Sequence, residues 1–576
     1  MRWRWIAPLA VAVLTATGFA PAVTGSFLNW DDNVNFLENL SYRGLGASQV
    51  RWAFTSTLFG HYIPLTRLSW CINYALGGLN PAGYHLVNVL LHAGNAVLFF
   101  FVVRRLLAAA TAGDGQEGRR ALEISAAAAV AALVFGLHPL RVEPVAWISG
   151  RADVLCGTFA LLATWAYLKA VEANGPARPG LVLAAAAGLA AAILSKGSAL
   201  PLPAALLLLD VYPLRRLHRL GAWTLVREKL PLLLVALVGA LTVALALRHG
   251  AVLTGSRDYG LLARVTVAAY SFVVYPLRFV WPSSLSPLYE MPARVSPFEV
   301  KFGLGLLACV VVTALLVGLR RRWPAGLAAW TFSALLLAPT SAAIRLGADL
   351  APDRYSYLSG LSLAALAGGG ALAVIRLVQS GRLSRVPGRM AALAALVVVA
   401  GFGVTSWSFA DVWRQSETLW RWAVEVDPTC SICHGKLGES VLEGSSGPAR
   451  LVEAEQLFRR AIALRPDLPD AYFNLGTTLV VQGRYAEAEE PLRIYMERVP
   501  QAPAGPERLG LLYALEHRYE TAVPLLREAL ARKGDTPALR GYLVEALRGR
   551  ARELSAEGNA TEADQLLAEA SSLEGR

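Results

Sequence analysis

The residues best suited to chemistry are two adjacent carboxylates, Asp31 and Asp32, which follow the first apolar segment of the chain. A carboxylate can act as a general base when it lies within hydrogen-bond reach of the proton that it removes. An acidic pair can also hold a cation. For a bare Asp-Asp pair, a solvated acidic helix cap is the simpler interpretation, so the surrounding residues must decide between these readings.

Other polar side chains occur in the same loop, 27–85, in a second loop, 138–152, and at the ends of later apolar segments. Charged groups at the ends of membrane helices are costly unless they are used, which makes them candidates for function. The candidate binding residues carry imidazole, guanidinium, ammonium or carboxylate groups: His61, His138, Glu143, Arg151, Asp153, Lys196 and Arg354. Two of them have a structural alternative, because Lys196 could snorkel from a short span and Asp153 could pair with a nearby arginine.

The histidines do not predict a zinc site. His61, His85, His92 and His138 lack a recognisable zinc-ligand spacing, so hydrogen-bonding or structural roles are favoured. Any metal would be a hard divalent cation held by oxygen ligands.

One cysteine motif stands apart from the others. Cys430-Ser431-Ile432-Cys433-His434 matches the attachment pattern of c-type haem. The motif falls in the first helix of a predicted repeat and no haem pocket can be recognised around it. A local disulfide or simple packing of the two cysteines is therefore favoured over haem.

The composition indicates that these residues belong to a membrane protein. The chain has 576 residues, of which 55% are hydrophobic and 17% charged, and its mean hydropathy is +0.44. These values exclude a single soluble domain. The net charge of +12 hides an asymmetry, since residues 411–576 contain 20 basic and 26 acidic residues. A basic membrane body with an acidic soluble appendage is predicted, not a nucleic-acid-binding protein.

Twelve apolar segments are candidates to cross about 30 Å of hydrocarbon as helices. They lie near 5–23, 86–108, 122–138, 153–171, 180–195, 199–212, 230–247, 262–281, 302–319, 324–340, 357–378 and 390–409. The first could be a secretory signal peptide, but an uncleaved span is favoured because the acidic pair follows it directly.

The distribution of Lys and Arg predicts the orientation of these segments. Basic clusters within 104–120 and 215–229 are expected to be cytoplasmic. Arg320-Arg321-Arg322 joins them if segment 262–281 is re-entrant or surface-lying, which its two arginines favour. About eleven crossings follow, with the N-terminus inside and the polar loops and C-terminal tail outside. A crossing at 262–281 would instead make the tail cytoplasmic.

The C-terminal region has a period of 34 residues. Leu475-Gly476 and Leu509-Gly510 are separated by this distance, as are Pro466 and Pro500. The pattern resembles the tetratricopeptide repeat, in which small residues let paired helices approach closely. We expect this array to contact a protein or peptide, with a spacer or dimerisation surface as the alternative.

These observations predict an all-α protein. A polytopic membrane helix bundle is expected at 1–410, a linker helix at 411–427 and a tetratricopeptide-repeat α-solenoid at 428–576.

Ordered sequence blocks extend over nearly the whole chain and carry a family resemblance. The blocks are Trp30-Asp31-Asp32, His61–Leu65, Gly83-Tyr84-His85, His138–Asp153, Leu194–Gly197, Leu209–Leu214 and Asp353–Leu358, followed by the repeats. In this order they resemble the transmembrane and tetratricopeptide-repeat-containing O-mannosyltransferases, which are related to the protein O-mannosyltransferases among the GT-C-type, lipid-donor glycosyltransferases. The resemblance implies inverting transfer of a hexose, typically mannose, from a polyprenyl-phosphate sugar to a Ser or Thr hydroxyl on the extracytoplasmic side.

The same resemblance implies roles for the candidate residues. Asp31 or Asp32 would be the general base for the acceptor hydroxyl, and positive charge or a metal would stabilise the leaving phosphate. Arg151, Lys196 and Arg354 are the phosphate candidates, and Arg354 is favoured because a guanidinium binds phosphate bidentately. The expected partners are the polyprenyl-phosphate sugar, membrane lipids and an acceptor protein held by the repeats.

Three other interpretations stay open. One is a glycosyltransferase whose acceptor is a glycan or a lipid. Another is a non-catalytic, membrane-anchored repeat scaffold in envelope assembly. A transporter is the third, although most ionisable groups gather near one face and not at mid-membrane. The high Ala, Arg and Gly content, taken with the topology, predicts a bacterial inner-membrane protein with extracytoplasmic loops and repeats.

Overall fold

The computed structural model describes residues 3–111, 117–171, 175–249, 260–292, 295–296, 299–341, 349–444 and 447–575. These residues form helices joined by turns and short loops, and their β-type pairing is limited to an isolated bridge between Glu290 and Asp349. The predicted all-α fold is confirmed. Two compact units divide the chain, Met1–Trp422 and Ala423–Arg576.

The first unit contains the helices that hold the candidate site. They are α1 Trp3–Gly18, α2 Ala47–Thr55, α3 Pro64–Gly77, α4 Pro81–Ala110, α5 Glu117–Gly136, α6 Val142–Ala146, α7 Arg151–Ala170, α8 Pro179–Ser195, α9 Leu202–Val211, α10 Leu217–Glu228, α11 Leu230–His249, α12 Leu261–Val280, α13 Val300–Gly318, α14 Pro324–Leu337, α15 Ser356–Ser359, α16 Leu361–Gln379 and α17 Arg385–Val412. Helix α18, Ser416–Val426, begins in the first unit and ends in the second.

Several helix starts follow from the sequence. Proline occupies the first position of α3, α4, α8 and α14, where its missing N–H is not needed for the helix. In front of α4, the side chain of Asn80 also accepts a hydrogen bond from the backbone N–H of Ala82.

Six helices in the described part of the chain are long and apolar enough to cross a membrane: α4, α11, α12, α13, α16 and α17. A pair bent by 58°, Arg120–Gly136 with Pro139–Ala146, could form one further span. Trp5–Gly18, Pro179–Ser195 and Gly197–Val211 are apolar but shorter than a usual crossing. The helices fit a multi-pass membrane protein, and the figure of about eleven crossings stays a prediction.

The segment expected not to cross, 262–281, forms the single helix α12, with Pro276 in its interior. It has no break at which a re-entrant segment would turn back, and it is one of the helices long enough to span. A surface-lying helix and a crossing both fit its length. The side of the membrane on which the C-terminal tail lies therefore stays a prediction.

Small residues allow the helices of the first unit to pack closely. A Cβ added to Gly188 in α8 would lie 3.0 Å from the Cβ of Ala163 in α7. Likewise, a Cβ on Gly368 in α16 would lie 2.8 Å from the backbone oxygen of Ala127 in α5. Close backbone approach of this kind is typical of helix pairs inside membranes.

The second unit is a series of helix pairs. The helices are α19 Ser431–Gly444, α20 Pro448–Leu464, α21 Pro469–Val481, α22 Tyr485–Arg498, α23 Ala504–Leu515, α24 Tyr519–Lys533, α25 Pro537–Ala556 and α26 Ala560–Glu574. The Leu-Gly positions lie where paired helices touch, since a Cβ on Gly476 would lie 2.6 Å from the Cγ of Leu492. Ion pairs join successive pairs with the same 34-residue offset, Glu455 with Arg484 at 2.6 Å and Glu489 with Arg518 at 2.9 Å.

Cys430 and Cys433 are buried at the start of α19 and are joined in a disulfide. Nδ1 of His434, also buried, lies 2.8 Å from the backbone oxygen of Cys430. In this state neither sulfur is a free thiol that could attach to haem.

Candidate active site

A polar cleft in the first unit has a volume of about 1580 Å³, which includes space open to solvent. Its charged and imidazole side chains come from five separate parts of the sequence: Asp31, His61, Arg67, Asp153, Lys196, Asp349 and Arg354. Aromatic residues form much of the remaining wall: Trp30, Phe59, Trp70, Trp147 and Tyr355. The cleft therefore brings together five of the nine predicted site residues, and two more, Asp32 and Glu143, are bonded directly to its lining.

The acidic pair lies on a turn that is fixed by aromatic packing. Asp31 and Asp32 precede a single π-helical turn, Asn33–Leu37, and the carbonyl of Asp31 accepts a hydrogen bond from the amide of Asn35 at 2.9 Å. Phe36 is fully buried in this turn and packs edge-on against Trp70 and other aromatic rings. Single π-helical turns are often found at functional sites, where they aim a side chain.

The two carboxylates of the pair have different surroundings. Asp31 lines the cleft, whereas Asp32 is fully buried beneath it. The carboxylate of Asp32 accepts hydrogen bonds from the hydroxyl of Ser149 at 2.6 Å, the amide of Ser149 at 3.2 Å and the amide of Leu28 at 3.1 Å. Asp31 can thus meet a substrate, while Asp32 is held in place behind it.

Burial raises the pKa of Asp32 to about 7. The charge of Asp31 adds to this rise, and the hydrogen bonds from Ser149 and Leu28 lower the pKa against it. Asp32 therefore changes its charge near neutral pH, next to the carboxylate of Asp31. A charge that changes near neutral pH beside a general base can change the strength of that base.

Ser149 and Asn35 were not among the predicted site residues. The amide of Asn35 donates to the hydroxyl of Ser149 at 2.9 Å, so both residues support Asp32. Ser149 lies within the second loop, between two predicted site residues. A single serine or asparagine has no spacing that marks it, so only the block in which Ser149 occurs could have drawn attention to it.

Lys196 and Asp153 form a close pair at one side of the cleft. The ammonium of Lys196 donates to both carboxylate oxygens of Asp153, at 2.6 and 2.7 Å, and lies 5.4 Å from the ring centre of Tyr355. Lys196 is 17% exposed and Asp153 is 6% exposed. The expected arginine partner of Asp153 is replaced by Lys196, because α7 and the end of α8 pack side by side.

Arg354 lies between two acids, and its guanidinium carbon is 5.2 Å from the ring centre of Tyr355. Its guanidinium pairs with the buried carboxylate of Glu143, and its backbone amide donates to the same carboxylate at 2.8 Å. A carboxylate oxygen of Asp349 lies 3.6 Å from the same guanidinium. Burial raises the pKa of Asp349 to about 7, although Arg354 lowers it. Near neutral pH, Asp349 thus exists partly in its uncharged form.

His61 stands on a loop that is tied down by Arg67. The buried guanidinium of Arg67 donates to the carbonyl of His61 at 2.9 Å and also to the carbonyl of Ser56. Its guanidinium carbon lies 5.6 Å from the ring centre of Trp52. Arg67 was not among the predicted site residues, and it lies two residues after the block His61–Leu65.

His138 and Arg151 lie outside the cleft. Nε2 of His138 is 2.8 Å from the carbonyl oxygen of Phe279, and its ring stacks on that of Phe279. Arg151 is fully buried and donates to the side chain of Asn88 at 2.7 Å and to the carbonyl of Tyr84 at 2.6 Å. Both residues join helices, so we do not include them in the reaction.

The residues that the structure describes contain no group of three or more His, Cys, Asp or Glu side chains arranged to hold a metal ion. The lining of this cleft contains the cationic side chains of Arg67, Lys196 and Arg354.

Comparison with known proteins agrees with this architecture. A tetratricopeptide-repeat family model matches residues 449–505, which confirms the repeat prediction. Human protein O-mannosyl-transferase TMTC4 is 35% identical over 173 residues, covering 28% of this chain and 23% of that protein. Mouse protein O-mannosyl-transferase TMTC2 is 41% identical over 128 residues, covering 21% of this chain and 14% of that protein.

The crystal structure of MamA is similar to 29% of this chain and 91% of that protein, with 15% sequence identity and a TM-score of 0.24. The chain spans less than a quarter of the length of the two O-mannosyl-transferases it matches. Part of the chain is thus similar in sequence to protein O-mannosyl-transferases, and residues 449–505 match the tetratricopeptide repeat.

Proposed function

We propose that this chain is an integral membrane, inverting glycosyltransferase that transfers mannose from a polyprenyl-phosphate sugar to Ser or Thr hydroxyls of extracytoplasmic proteins. One observation carries the proposal: a single cleft is lined by the carboxylate of Asp31 and by the cations Lys196 and Arg354. Transfer with inversion needs a base on one face of the sugar and stabilisation of the leaving phosphate on the other.

In the proposed reaction, Asp31 takes the proton of the acceptor hydroxyl. The hydroxyl oxygen forms a bond to the anomeric carbon as the bond from that carbon to the phosphate oxygen breaks. The polyprenyl phosphate leaves with the electron pair, and the configuration at the anomeric carbon is inverted. Asp32, fixed behind Asp31, adds negative charge that makes the pair a stronger base.

Lys196 and Arg354 are proposed to stabilise the leaving phosphate. Each already has an acidic partner, Asp153 for the lysine and Glu143 for the arginine. These partners fix the two cations in position before the donor binds, which reduces the reorganisation needed during the reaction. A planar guanidinium can keep one carboxylate contact while its remaining N–H groups bind phosphate.

A neighbouring pocket supports a lipid-linked donor. It has a volume of about 630 Å³, including space open to solvent, lies between α12 and α14, and shares Thr340, Leu350 and Tyr355 with the cleft. Much of its wall is apolar, including Phe272 and Leu337. An isoprenoid chain entering between these helices would bring its phosphate to the edge of the cleft.

The proposed location is the bacterial inner membrane, with the cleft and the repeats on the extracytoplasmic side. Tetratricopeptide arrays commonly bind peptides or proteins through the surface formed by successive helix pairs. We therefore assign acceptor binding to the second unit.

The test is transfer of radiolabelled mannose from polyprenyl-phosphate mannose to Ser/Thr peptides by the purified full-length chain. We expect Asp31→Asn to lower the rate at least roughly 100-fold, because it removes the base but keeps the size of the side chain. Glu38→Gln is the matched control, since Glu38 is an exposed acid of the same loop that does not line the cleft.

The other possible outcomes contradict different parts of the proposal. Equal rates for Asp31→Asn and the unchanged chain would refute Asp31 as the base. Label recovered in glycan or lipid, with none in peptide, would replace the proposed acceptor. A folded chain that transfers no sugar from this donor to any of these acceptors would favour the membrane-anchored scaffold.

A further inference from the structure

Helix α18, which leads toward the repeats, is more than a linker. It is anchored on the short segment that precedes the acidic pair. The backbone amide and hydroxyl of Ser26 both donate to the carbonyl of Arg414, at 2.8 and 3.0 Å. The amide of Asn29 donates to the hydroxyl of Ser416 at 3.0 Å. These contacts join parts of the sequence that are almost 390 residues apart.

Trp420 makes the most deeply buried of the contacts between α18 and the segment that precedes the acidic pair. Its indole N–H donates to the side-chain oxygen of Asn29 at 2.6 Å, and its ring meets the ring of Trp30 edge-on at 5.3 Å. Trp420 is fully buried and Asn29 is 4% exposed. Trp30 itself lines the cleft, so α18 reaches the cleft wall through one intervening side chain.

The anchored segment holds Asp32 directly. The amide of Leu28 donates to the carboxylate of Asp32 at 3.1 Å, and Leu28 is the neighbour of Asn29 in the chain. Asn29 is fixed at its backbone by Ser416 and at its side chain by Trp420. Movement of Asn29 would therefore displace the Leu28 amide and the turn that presents Asp31 to the cleft.

We propose that Trp420 is a positioning residue for the acidic pair, acting through its hydrogen bond to Asn29. The expected loss of activity rests on the proposed function, whereas the expected displacement of the turn does not. A small displacement of a catalytic group can lower a rate by up to about 100-fold. Loss of a single buried hydrogen bond should displace the turn only partly.

The test compares two substitutions on the same helix. Trp420→Phe keeps an aromatic ring beside Trp30 but removes the donor to Asn29. Trp422→Phe is the matched control, because the indole N–H of Trp422 donates to the carbonyl of Leu285 at 2.8 Å and not to the acidic turn. Both changes remove one indole hydrogen bond from α18.

Hydrogen–deuterium exchange gives a readout that does not require activity. In the full-length chain, Trp420→Phe should speed exchange of the peptide containing Leu28 and Asn29 roughly tenfold, whereas Trp422→Phe should leave it unchanged. Unchanged exchange in Trp420→Phe, or equal acceleration by both substitutions, would overturn the inference.

Kinetics provide the second readout. Trp420→Phe should lower kcat roughly tenfold with little change in the KM for the donor. The hydrogen bond from the Leu28 amide lowers the pKa of Asp32, and a displaced turn would weaken it. The acid limb of the pH–rate profile should therefore move to higher pH in Trp420→Phe. The pH–rate profile of Trp422→Phe should match that of the unchanged chain. If Asp31→Asn transfers sugar normally, Asp31 is not the base, and exchange alone then decides the role of Trp420.

Discussion

The hydrogen bond between Ser149 and Asp32 offers a sharp test of how the acidic pair is tuned. Ser149→Ala removes the hydroxyl that donates to Asp32 at 2.6 Å but leaves the backbone amide, which donates at 3.2 Å. A hydrogen bond to a charged group contributes about 1.5–3 kcal/mol, and each pH unit of a pKa corresponds to about 1.4 kcal/mol. Because the remaining amide can compensate in part, we take the lower end of this range.

The sign of the effect follows from the titration of Asp32. Its pKa lies near 7, so about half of this group is ionised at pH 7. Removing a donor that favours the ionised form raises the pKa by about one pH unit, which leaves roughly one tenth ionised at pH 7. We therefore expect kcat/KM at pH 7 to fall about fivefold and to recover as the pH rises above 8.

The assay is the pH dependence of mannose transfer between pH 5.5 and 9.5 for the unchanged chain, Ser149→Ala and Ser149→Thr. The threonine variant keeps a hydroxyl and should leave the acid limb near its original position. An acid limb that does not move in Ser149→Ala would refute the reasoning. So would a loss of activity that is constant across the pH range, because a constant loss indicates misplacement without a change in titration.

Two further predictions concern the phosphate site and the repeats. Arg354→Lys keeps the charge but loses the planar fork that reaches Glu143, so the KM for the donor should rise roughly tenfold in a donor titration; an unchanged KM would contradict the role of Arg354. Gly476→Ala should lower the thermal unfolding temperature of the full-length chain, because its Cβ would lie 2.6 Å from the Cγ of Leu492. Gly435→Ala, at a helical glycine where an added Cβ meets nothing within 4 Å, is the control and should not lower it.

The repeat unit shows how far the sequence alone can lead. A 34-residue period reflects contacts that recur between neighbouring helices, so the sequence alone predicts that Gly476 and Gly510 lie where paired helices touch. The same holds for the all-α fold, because long apolar runs in a membrane must satisfy their backbone groups internally. Both predictions depend on local or periodic features that a single sequence contains.

The candidate site was predictable in its residue types but not in its pairings. The sequence indicated that Asp153 could form an ion pair, yet its partner is Lys196, 43 residues away and at the end of another helix. His138 is a histidine like His61, but its ring stacks on Phe279 and does not line the cleft. Such choices depend on how helices pack against each other, and no spacing within one segment encodes them.

The anchoring of Asn29 by Trp420 illustrates the same limit most clearly. The two residues are separated by 391 positions, and the helix containing Trp420 reads as a linker when only composition and charge are considered. Its alternating tryptophans are compatible with a membrane interface, where indole rings are common. Only the fold shows that one of them is buried against the segment leading into the acidic pair.

The charge balance of the cleft explains why its two phosphate candidates can be paired with acids and still be useful. An unpaired lysine or arginine in so buried a site would lose much of its hydration without compensation. Glu143 and Asp153 supply that compensation and fix the cations, while burial keeps the pKa of Asp349 near 7. When a donor phosphate approaches Arg354, Asp349 can take up a proton and so remove a negative charge beside the incoming anion. Binding of the donor should then be accompanied by proton uptake, and its affinity should weaken as the pH rises through 7.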